Sequence, residues 1–374
     1  MSSGYNGFSM PAEWAPHDAC LLQWPHNPSV FRLTQARQQF LGIAKAIATE
    51  GKETVVIFCP NEKEQAFVQE ELIKMELKES TIITRVCPSD DSWARDMGPT
   101  FALSKNNEQR IGIDWNFNAW GEIYPDYKQD QLVAERMCQE LKKESFPMDH
   151  RKVPIVLEGG SIHVDGEGTL LTTKECLLHP NRNPSKTQAQ LEAILCEQLG
   201  VQKVVWLPLG VDGDEDTNGH VDNFACFLKP GHVILSWTDD EEQDKVNYER
   251  CREALSVLEQ ETDAQGRSLT VHKLYLPPPM FYTKEEVKGL KHTWGLFAPR
   301  KVGERMAGSY VNFYVANQAV IIPQFGHADT DQKAVDTLKD LFPNRKVVGV
   351  PSKEILIGGG NIHCITQQLP KCSS

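Results

Sequence analysis

Apolar residues along the chain fall into two periods that alternate. Phe40, Leu41, Ile43, Ala44 and Ile47 recur at the three- and four-residue spacing of a helix face, with Thr34 placed to cap it, and residues 53–58 are β-branched and read as a strand. A second amphipathic stretch at 62–78 precedes a strand at 82–86. Further helices are predicted near 131–142, 187–199, 244–258 and 332–341, and hairpins over 224–237 and 310–323, turning at Lys229-Pro230-Gly231 and near Ala316-Asn317. The last apolar run, 355–368, reads as a strand that contains Gly358-Gly359-Gly360-Asn361-Ile362-His363-Cys364. The resulting element order is ββαβ. Stretches 112–127 and 277–305, rich in Trp, Pro and Gly, lack a period and are expected to form a lid or rim.

Short motifs recur. Gly159-Gly160-Ser161-Ile162-His163-Val164 aligns with Gly359-Gly360-Asn361-Ile362-His363-Cys364, Gly219-His220-Val221-Asp222-Asn223-Phe224 aligns loosely with Gly308-Ser309-Tyr310-Val311-Asn312-Phe313, and Arg95-Asp96-Met97-Gly98-Pro99-Thr100-Phe101 opens a similar strand. Such repeats predict supersecondary units arranged radially, as in a propeller. They favour one domain over 1–374, with 1–10 a flexible N-terminal segment.

Composition narrows the partners. A net charge of −12 over 374 residues argues against nucleic acid and anionic membrane surfaces and favours a cationic small molecule. The ten cysteines include no C-x-x-C pair, which disfavours a zinc cluster or a disulfide scaffold. Residues 1–10 do not resemble a secretory signal, and no apolar run approaches the roughly 20 residues of a spanning helix. These features predict a soluble protein of a reducing compartment, most simply the cytoplasm.

The repeat places different reactive groups at equivalent positions: Glu158 in one copy, His220 and Asp222 in another, Cys364 in a third. A cysteine needs a base or cation to present thiolate, and His220 is the natural partner. His220 and Asp222, two apart in a strand, would share a face. Asp96 and Asp222 suit the forked N–H groups of a guanidinium, and Glu158 can orient His220. Trp93 and Trp120 can stack on a cation. Each residue also has a structural alternative: a buried strand thiol for Cys364, a satisfied core pair for His220 and Asp222, turn carboxylates for Asp96 and Glu158, packing for the tryptophans. A rival constellation is a metal site, because His163 with Asp165 and His220 with Asp222 repeat an H-x-D pattern.

Six ordered motifs carry a resemblance: Met10-Pro11-Ala12-Glu13-Trp14, Asp91-Ser92-Trp93-Ala94-Arg95-Asp96-Met97-Gly98-Pro99, Leu157-Glu158-Gly159-Gly160, Asp216-Thr217-Asn218-Gly219-His220-Val221-Asp222-Asn223, Ser309-Tyr310-Val311-Asn312-Phe313-Tyr314 and Gly359-Gly360-Asn361-Ile362-His363-Cys364. From about residue 10 to 370 the chain resembles the agmatine deiminases of plant and algal type, in the peptidylarginine-deiminase-like branch of the guanidino-group-modifying enzymes. The resemblance implies an α/β pentein fold, a five-bladed propeller of ββαβ units. It implies hydrolysis of agmatine to N-carbamoylputrescine and ammonia, a step towards putrescine, with neither metal nor organic cofactor, and it suggests a homodimer. Cys364 becomes the nucleophile, His220 the general acid and base, Glu158 its partner, and Asp96 and Asp222 the guanidinium ligands. The acidic run Asp212-Gly213-Asp214-Glu215-Asp216 offers Asp214, Glu215 and Asp216 as acceptors for the distal ammonium, and Gly359 and Gly360 let backbone approach the substrate. Alternatives on the same fold are an arginine or peptidylarginine deiminase, an amidinotransferase, or a propeller that binds without catalysis. A metal-dependent hydrolase is a further alternative.

Overall fold

One ββαβ unit, repeated five times among the described residues, accounts for the helical and strand stretches. The structure is a computed structural model that describes residues 7–77, 81–291 and 300–373. In chain order the units begin with the antiparallel pairs Thr100–Ser104 with Arg110–Asn116, Ile162–Val164 with Thr169–Thr173, Ala225–Lys229 with His232–Trp237, and Tyr314–Val315 with Ala319–Gln324. A helix then crosses over to a third strand parallel to the second. These helices are Val133–Lys143, Gln188–Leu199, Lys245–Gln260 and Ala328–Leu341. The third strands are Asp149–Val156, Lys203–Leu207, Thr270–Tyr275 and Lys346–Pro351. A parallel neighbour cannot be reached through a tight turn, which is why every unit carries its helix between the second and third strands.

The fifth unit is built from both ends of the chain. His17–Gln23 continues through helix Leu33–Thr49 to the parallel strand Thr54–Cys59 and through Glu62–Lys74 to Ile82–Val86. Its antiparallel partner is the late strand Thr366–Pro370, with Thr366 opposite Leu22. This pairing closes the ring, and the pentein architecture implied by the resemblance is the one observed. Central strands such as Thr54–Cys59 are covered on both faces and read as continuous apolar runs for that reason.

Local chemistry fixes the crossover helices. Helix Gln188–Leu199 starts at a capping box between Thr187 and Gln190, buries Leu191, Leu195 and Leu199 at four-residue spacing, and ends at Gly200 with φ 69°. A Cβ at Gly200 would come within 2.6 Å of the Phe8 carbonyl oxygen, so glycine there lets the edge strand Phe8–Ser9 pass and pair with Leu103 and Ser104. Residues 8 and 9 of the segment expected to be flexible are thus ordered, and 1–6 lie outside the described residues.

Several sequence expectations need correction. Thr34 does not cap its helix, which starts at Leu33 with Arg32 at the N-cap. The helix predicted at 332–341 begins at Ala328, and that predicted at 62–78 ends at Lys74, with Lys78 outside the described residues. Residues 112–116 belong to the strand Arg110–Asn116. The chain turns irregular only afterwards, where Ala119, Trp120 and Gly121 have φ of 52°, 54° and 94°. Within 277–305, Thr283 and Glu286 form a capping box on helix Lys284–Lys288, and 292–299 lie outside the described residues. The run 355–368 is not one strand. Helical turns Lys353–Leu356 and Ile362–Ile365 flank the three glycines, Gly359 has φ 113°, and the strand starts only at Thr366. Among the described residues no helix is long and apolar enough to cross a membrane.

Arg110, on the second strand of its unit, fastens the closing strand. Its fully buried guanidinium donates from Nε to the Pro370 carbonyl at 2.9 Å and pairs with Asp18, which is 24% exposed. Breaking a buried pair strands its partner, and the partial exposure of Asp18 softens that penalty. Arg110→Ala is expected to destabilise the fold by about 3 kcal/mol, read as a lower urea midpoint with an unchanged slope. An unmoved midpoint would show that the closure does not depend on this contact.

Candidate active site

The reactive side chains collect in the short segments that lead into the first strand of each unit. Single helical turns at Ala94–Met97, Gly159–Ser161, Val221–Asn223 and Ile362–Ile365, together with the segment around Asn312, are equivalent entries into five sheets. They deliver Asp96, Glu158, His220 with Asp222, Asn312 and Cys364, all buried. Cys364 and Asp222 therefore sit on helical turns, not strands, and His220 immediately precedes its turn. The strand argument for a shared face does not hold. Convergence comes from the ring.

Gly160 marks where the side chains meet. A Cβ placed on it would lie 2.6 Å from His220 Nδ1, 2.8 Å from Asp96 Oδ1 and 2.9 Å from Asp222 Oδ2, so only glycine leaves that point open. Its N–H donates to Asp96 Oδ1 at 3.0 Å, while Asp96 Oδ2 accepts from Trp120 Nε1 at 2.9 Å. On the other side, a Cβ at Gly360 would lie 2.9 Å from Cys364 Sγ.

His220 stands between two carboxylates. Nε2 is 3.6 Å from Glu158 Oε2 and Nδ1 is 3.8 Å from Asp96 Oδ1, and neither nitrogen is hydrogen-bonded among the described residues. Its backbone N–H is held by Asp214 Oδ2 and Thr217 Oγ1. Burial alone would favour the neutral ring, but Asp96, the neighbouring Cys176 and Glu158 raise its pKa well above the ordinary imidazole value. Burial would raise Glu158, yet Arg182, donating from Nε to Oε1 at 2.8 Å, and His220 hold it below the usual carboxylate range. Asp96 is pushed up to about 6 by burial and the carboxylates of Asp222 and Glu158, against the pull of His220. A neutral thiol, an imidazolium and carboxylates around one point can bind a cation and exchange protons with it.

The thiol of Cys364 is only 4% exposed. Burial, with Asp222 and Asp96 close by, raises its pKa well above the ordinary thiol value, outweighing hydrogen bonds from the Asn361 backbone and Asn312. Asn312 is a hub that the sequence reading missed. Its Nδ2 donates to Cys364 Sγ at 3.1 Å and to Asn223 Oδ1 at 2.8 Å, and its Oδ1 accepts from the His363 N–H at 2.9 Å. The alignment of Asn312 with Asn223 in the repeat was the available signal. For Arg182 the sequence carried none.

A narrow cavity opens onto Cys364 and Asp96, walled by Trp93, Trp120, Tyr124 and Asp216 and by the backbone of Gly358, Gly359 and Gly360. Trp93 and Trp120 both line the cavity, each with its indole N–H fixed, on Asp91 and Asp96. The acidic run divides. Asp216 reaches the cavity, but Arg300 grips both its carboxylate oxygens, at 2.9 and 2.5 Å. Asp214 does not line the cavity, because its Oδ2 is spent on the His220 N–H and on Asn223 Nδ2. Exposed Glu215 borders a neighbouring depression with Arg305 and Glu304.

The H-x-D pairs do not join into a metal centre: Asp165 is used by the Glu167 and Thr169 turn, and His163 faces Glu13. Glu158, Cys176 and His220 do bring ligand-type atoms within 4.8 Å of one another, but Arg182 already supplies a cation to that carboxylate.

Residues 9–370 match the model of the Porphyromonas-type peptidyl-arginine deiminase family. The agmatine deiminase of Medicago truncatula is 46% identical over 380 residues, covering 98% of this chain and 97% of that protein. The solved agmatine deiminase of Enterococcus faecalis superposes with a TM-score of 0.88 at 37% identity, covering 98% and 96% of the two chains. A cysteine-to-serine variant of C. jejuni agmatine deiminase, solved with substrate bound, superposes at 0.80 with 25% identity over 98% and 97% of the chains.

The raised pKa of Cys364 sets the pH dependence of its reactivity. Below that pKa the group is a thiol, so iodoacetamide should inactivate the ligand-free enzyme slowly at pH 7 and faster as pH rises past the ordinary thiol range. Rapid, pH-independent alkylation of Cys364 between pH 6 and 8, located by peptide mass mapping, would contradict this electrostatic picture.

Proposed function

The chain belongs to the Porphyromonas-type peptidyl-arginine deiminase family, and we infer that within it this protein is an agmatine deiminase, hydrolysing the guanidinium of agmatine to N-carbamoylputrescine and ammonia. The observation that carries the reading is one buried cluster: His220, Asp96 and Asp222 meet at the open point at Gly160, Cys364 Sγ lies 3.5 Å from Asp222, and Glu158 lies 3.6 Å from His220. Asp96 and Asp222 serve as guanidinium ligands, and their charge draws the cation towards the sulfur. An incoming cation opposes the two carboxylates that disfavour thiolate at Cys364, so substrate itself promotes ionisation of the nucleophile.

In the first half-reaction the Cys364 thiolate attacks the guanidinium carbon, forming a C–S bond. The His220 imidazolium then donates its proton to the departing nitrogen as the C–N bond breaks, leaving an amidino-thioether and releasing ammonia. In the second, neutral His220 takes a proton from water, and the oxygen attacks the same carbon. The C–S bond breaks, the thiolate returns, and the remaining hydroxyl proton leaves to solvent as the ureido product forms. Glu158, fixed by Arg182, keeps His220 able to carry that proton.

The cavity walls support agmatine over arginine. Aromatic faces suit a distal ammonium, and the rim guanidinium of Arg300 is already engaged by Asp216, so it is not presented as a clamp for an α-carboxylate. The five site segments come from all five units and support one catalytic domain. Ten free thiols support a reducing, cytoplasmic setting. The homodimer rests on the family resemblance, and light scattering should give a mass near twice 42.1 kDa.

Cys364→Ala is expected to lower kcat on agmatine at least about ten-thousandfold while agmatine still binds. Quenching the wild-type enzyme during turnover should trap an amidine-sized mass increase on the Cys364 peptide. Ammonia release from agmatine should exceed that from arginine at equal concentration. Faster release from arginine would favour the arginine deiminase alternative, and full activity in Cys364→Ala would end the proposal.

A further inference from the structure

Behind the nucleophile lies a line of buried charge that the reaction above does not use. His363 precedes Cys364, and both its ring nitrogens face carboxylates: Nδ1 is 2.9 Å from Asp222 Oδ2 and Nε2 is 2.7 Å from Glu13 Oε1. Ionised carboxylates accept and cannot donate, so a ring between two of them must donate from both nitrogens and be an imidazolium. Glu13, buried in the turn before the strand His17–Gln23, has two further donors. Arg95 Nη1 lies 3.3 Å from Oε1. His163 Nε2 lies 3.5 Å from Oε2, and because His163 Nδ1 accepts from the Phe227 N–H, the hydrogen of that ring is on Nε2. Asp222 Oδ2 also lies 3.5 Å from Cys364 Sγ, while its Oδ1 is buried with no hydrogen-bond partner among the described residues.

We propose that Glu13 and His363 are positioning residues for Asp222: Glu13 holds the imidazolium of His363, which holds Asp222 Oδ2 beside the sulfur and leaves Oδ1 to a guanidinium N–H. The inference rests on reading the site as a guanidinium site, and it adds a specific supporting chain. The direction of each charge agrees. Although burial opposes ionisation of all three, Glu13 is held well below and Asp222 below the usual carboxylate range, and His363 above the usual imidazole value. The other groups facing this line are Arg95, His163 and Cys226 around Glu13, and His220, Asp96, Asp214 and Cys364 around Asp222. Removing the Glu13 charge leaves His363 facing Arg95 without its counter-ion. His363 then gives up its proton more readily, Asp222 loses a cation, and the pKa of Asp222 rises.

The decisive variant is Glu13→Gln, assayed with agmatine from pH 5 to 9. It should lower kcat/KM by about 10- to 100-fold, mostly through KM, with the acid limb of the profile displaced to higher pH, so that the deficit grows as pH falls. Glu13→Asp keeps the charge and should return the acid limb towards its wild-type position. An acid limb that stays put in Glu13→Gln, whatever the overall rate, would assign Glu13 a merely structural role and overturn the proposal, as would wild-type kcat/KM. Neutron diffraction on the wild-type protein at pH 7.5 tests the same point without any variant: hydrogen on both nitrogens of His363 is expected, and a singly protonated ring overturns it. Wild-type protein that fails to turn over agmatine would refute the functional reading, and the neutron result would still decide this one.

Discussion

Charge taken out of water governs this structure. Asp96, Glu158, His220, Asp222, Glu13, His363 and Arg95 are all buried in one region, and an isolated ion at any of these positions would be prohibitively costly. The arrangement is tolerable because opposite charges alternate: Arg182 on Glu158, Glu158 and Asp96 around His220, Asp222 on His363, His363 on Glu13, Glu13 on Arg95. The backbone underwrites much of the alternation, since Arg95, Asp96, Asp222 and His363 sit on single helical turns and Glu158 and His220 lie beside a glycine. Cys364 is the exception. Among the described residues it faces two carboxylates without a cation of its own, and a bound guanidinium would supply one.

The ring makes such a cluster feasible. Five equivalent entry segments point at one place, so reactive groups far apart in sequence meet there. The bulk of the fold, meaning crossover helices and central strands, serves to hold these entries in register. Differences between units then carry the chemistry: one entry offers Asp96, another Glu158, a third His220 and Asp222, a fourth Asn312 and the last Cys364.

How much of this was legible in the sequence depended on the kind of signal. Helix Gln188–Leu199 and the hairpin Ala225–Lys229 with His232–Trp237 follow from period and turn residues, so their boundaries were nearly right. The segment before Thr366 was misread because Ile355, Leu356, Ile362 and Ile365 look like strand residues, whereas glycine-broken single turns leave no period to detect. Motif resemblance pointed to Cys364, His220, Glu158, Asp96 and Asp222, which the fold brings together. Asp214 misled because carboxylates in an acidic run look alike until the backbone shows which one caps a turn. Glu13 and Arg182 stayed hidden because their partners are distant in sequence and their immediate neighbours carry no chemistry.

The closing strand has a kinetic meaning as well. Thr366–Pro370 must find Leu22 and its neighbours after nearly the whole chain has been made, and Cys364 lies on the turn just before it. Contacts of such sequence separation form late and slowly. Until they form, the thiol has no Asn312, no Asp222 and no cavity. A chain whose ring is still open therefore lacks the guanidinium site, and the contacts of Cys364 with Asn312 and Asp222 appear only when the ring has shut.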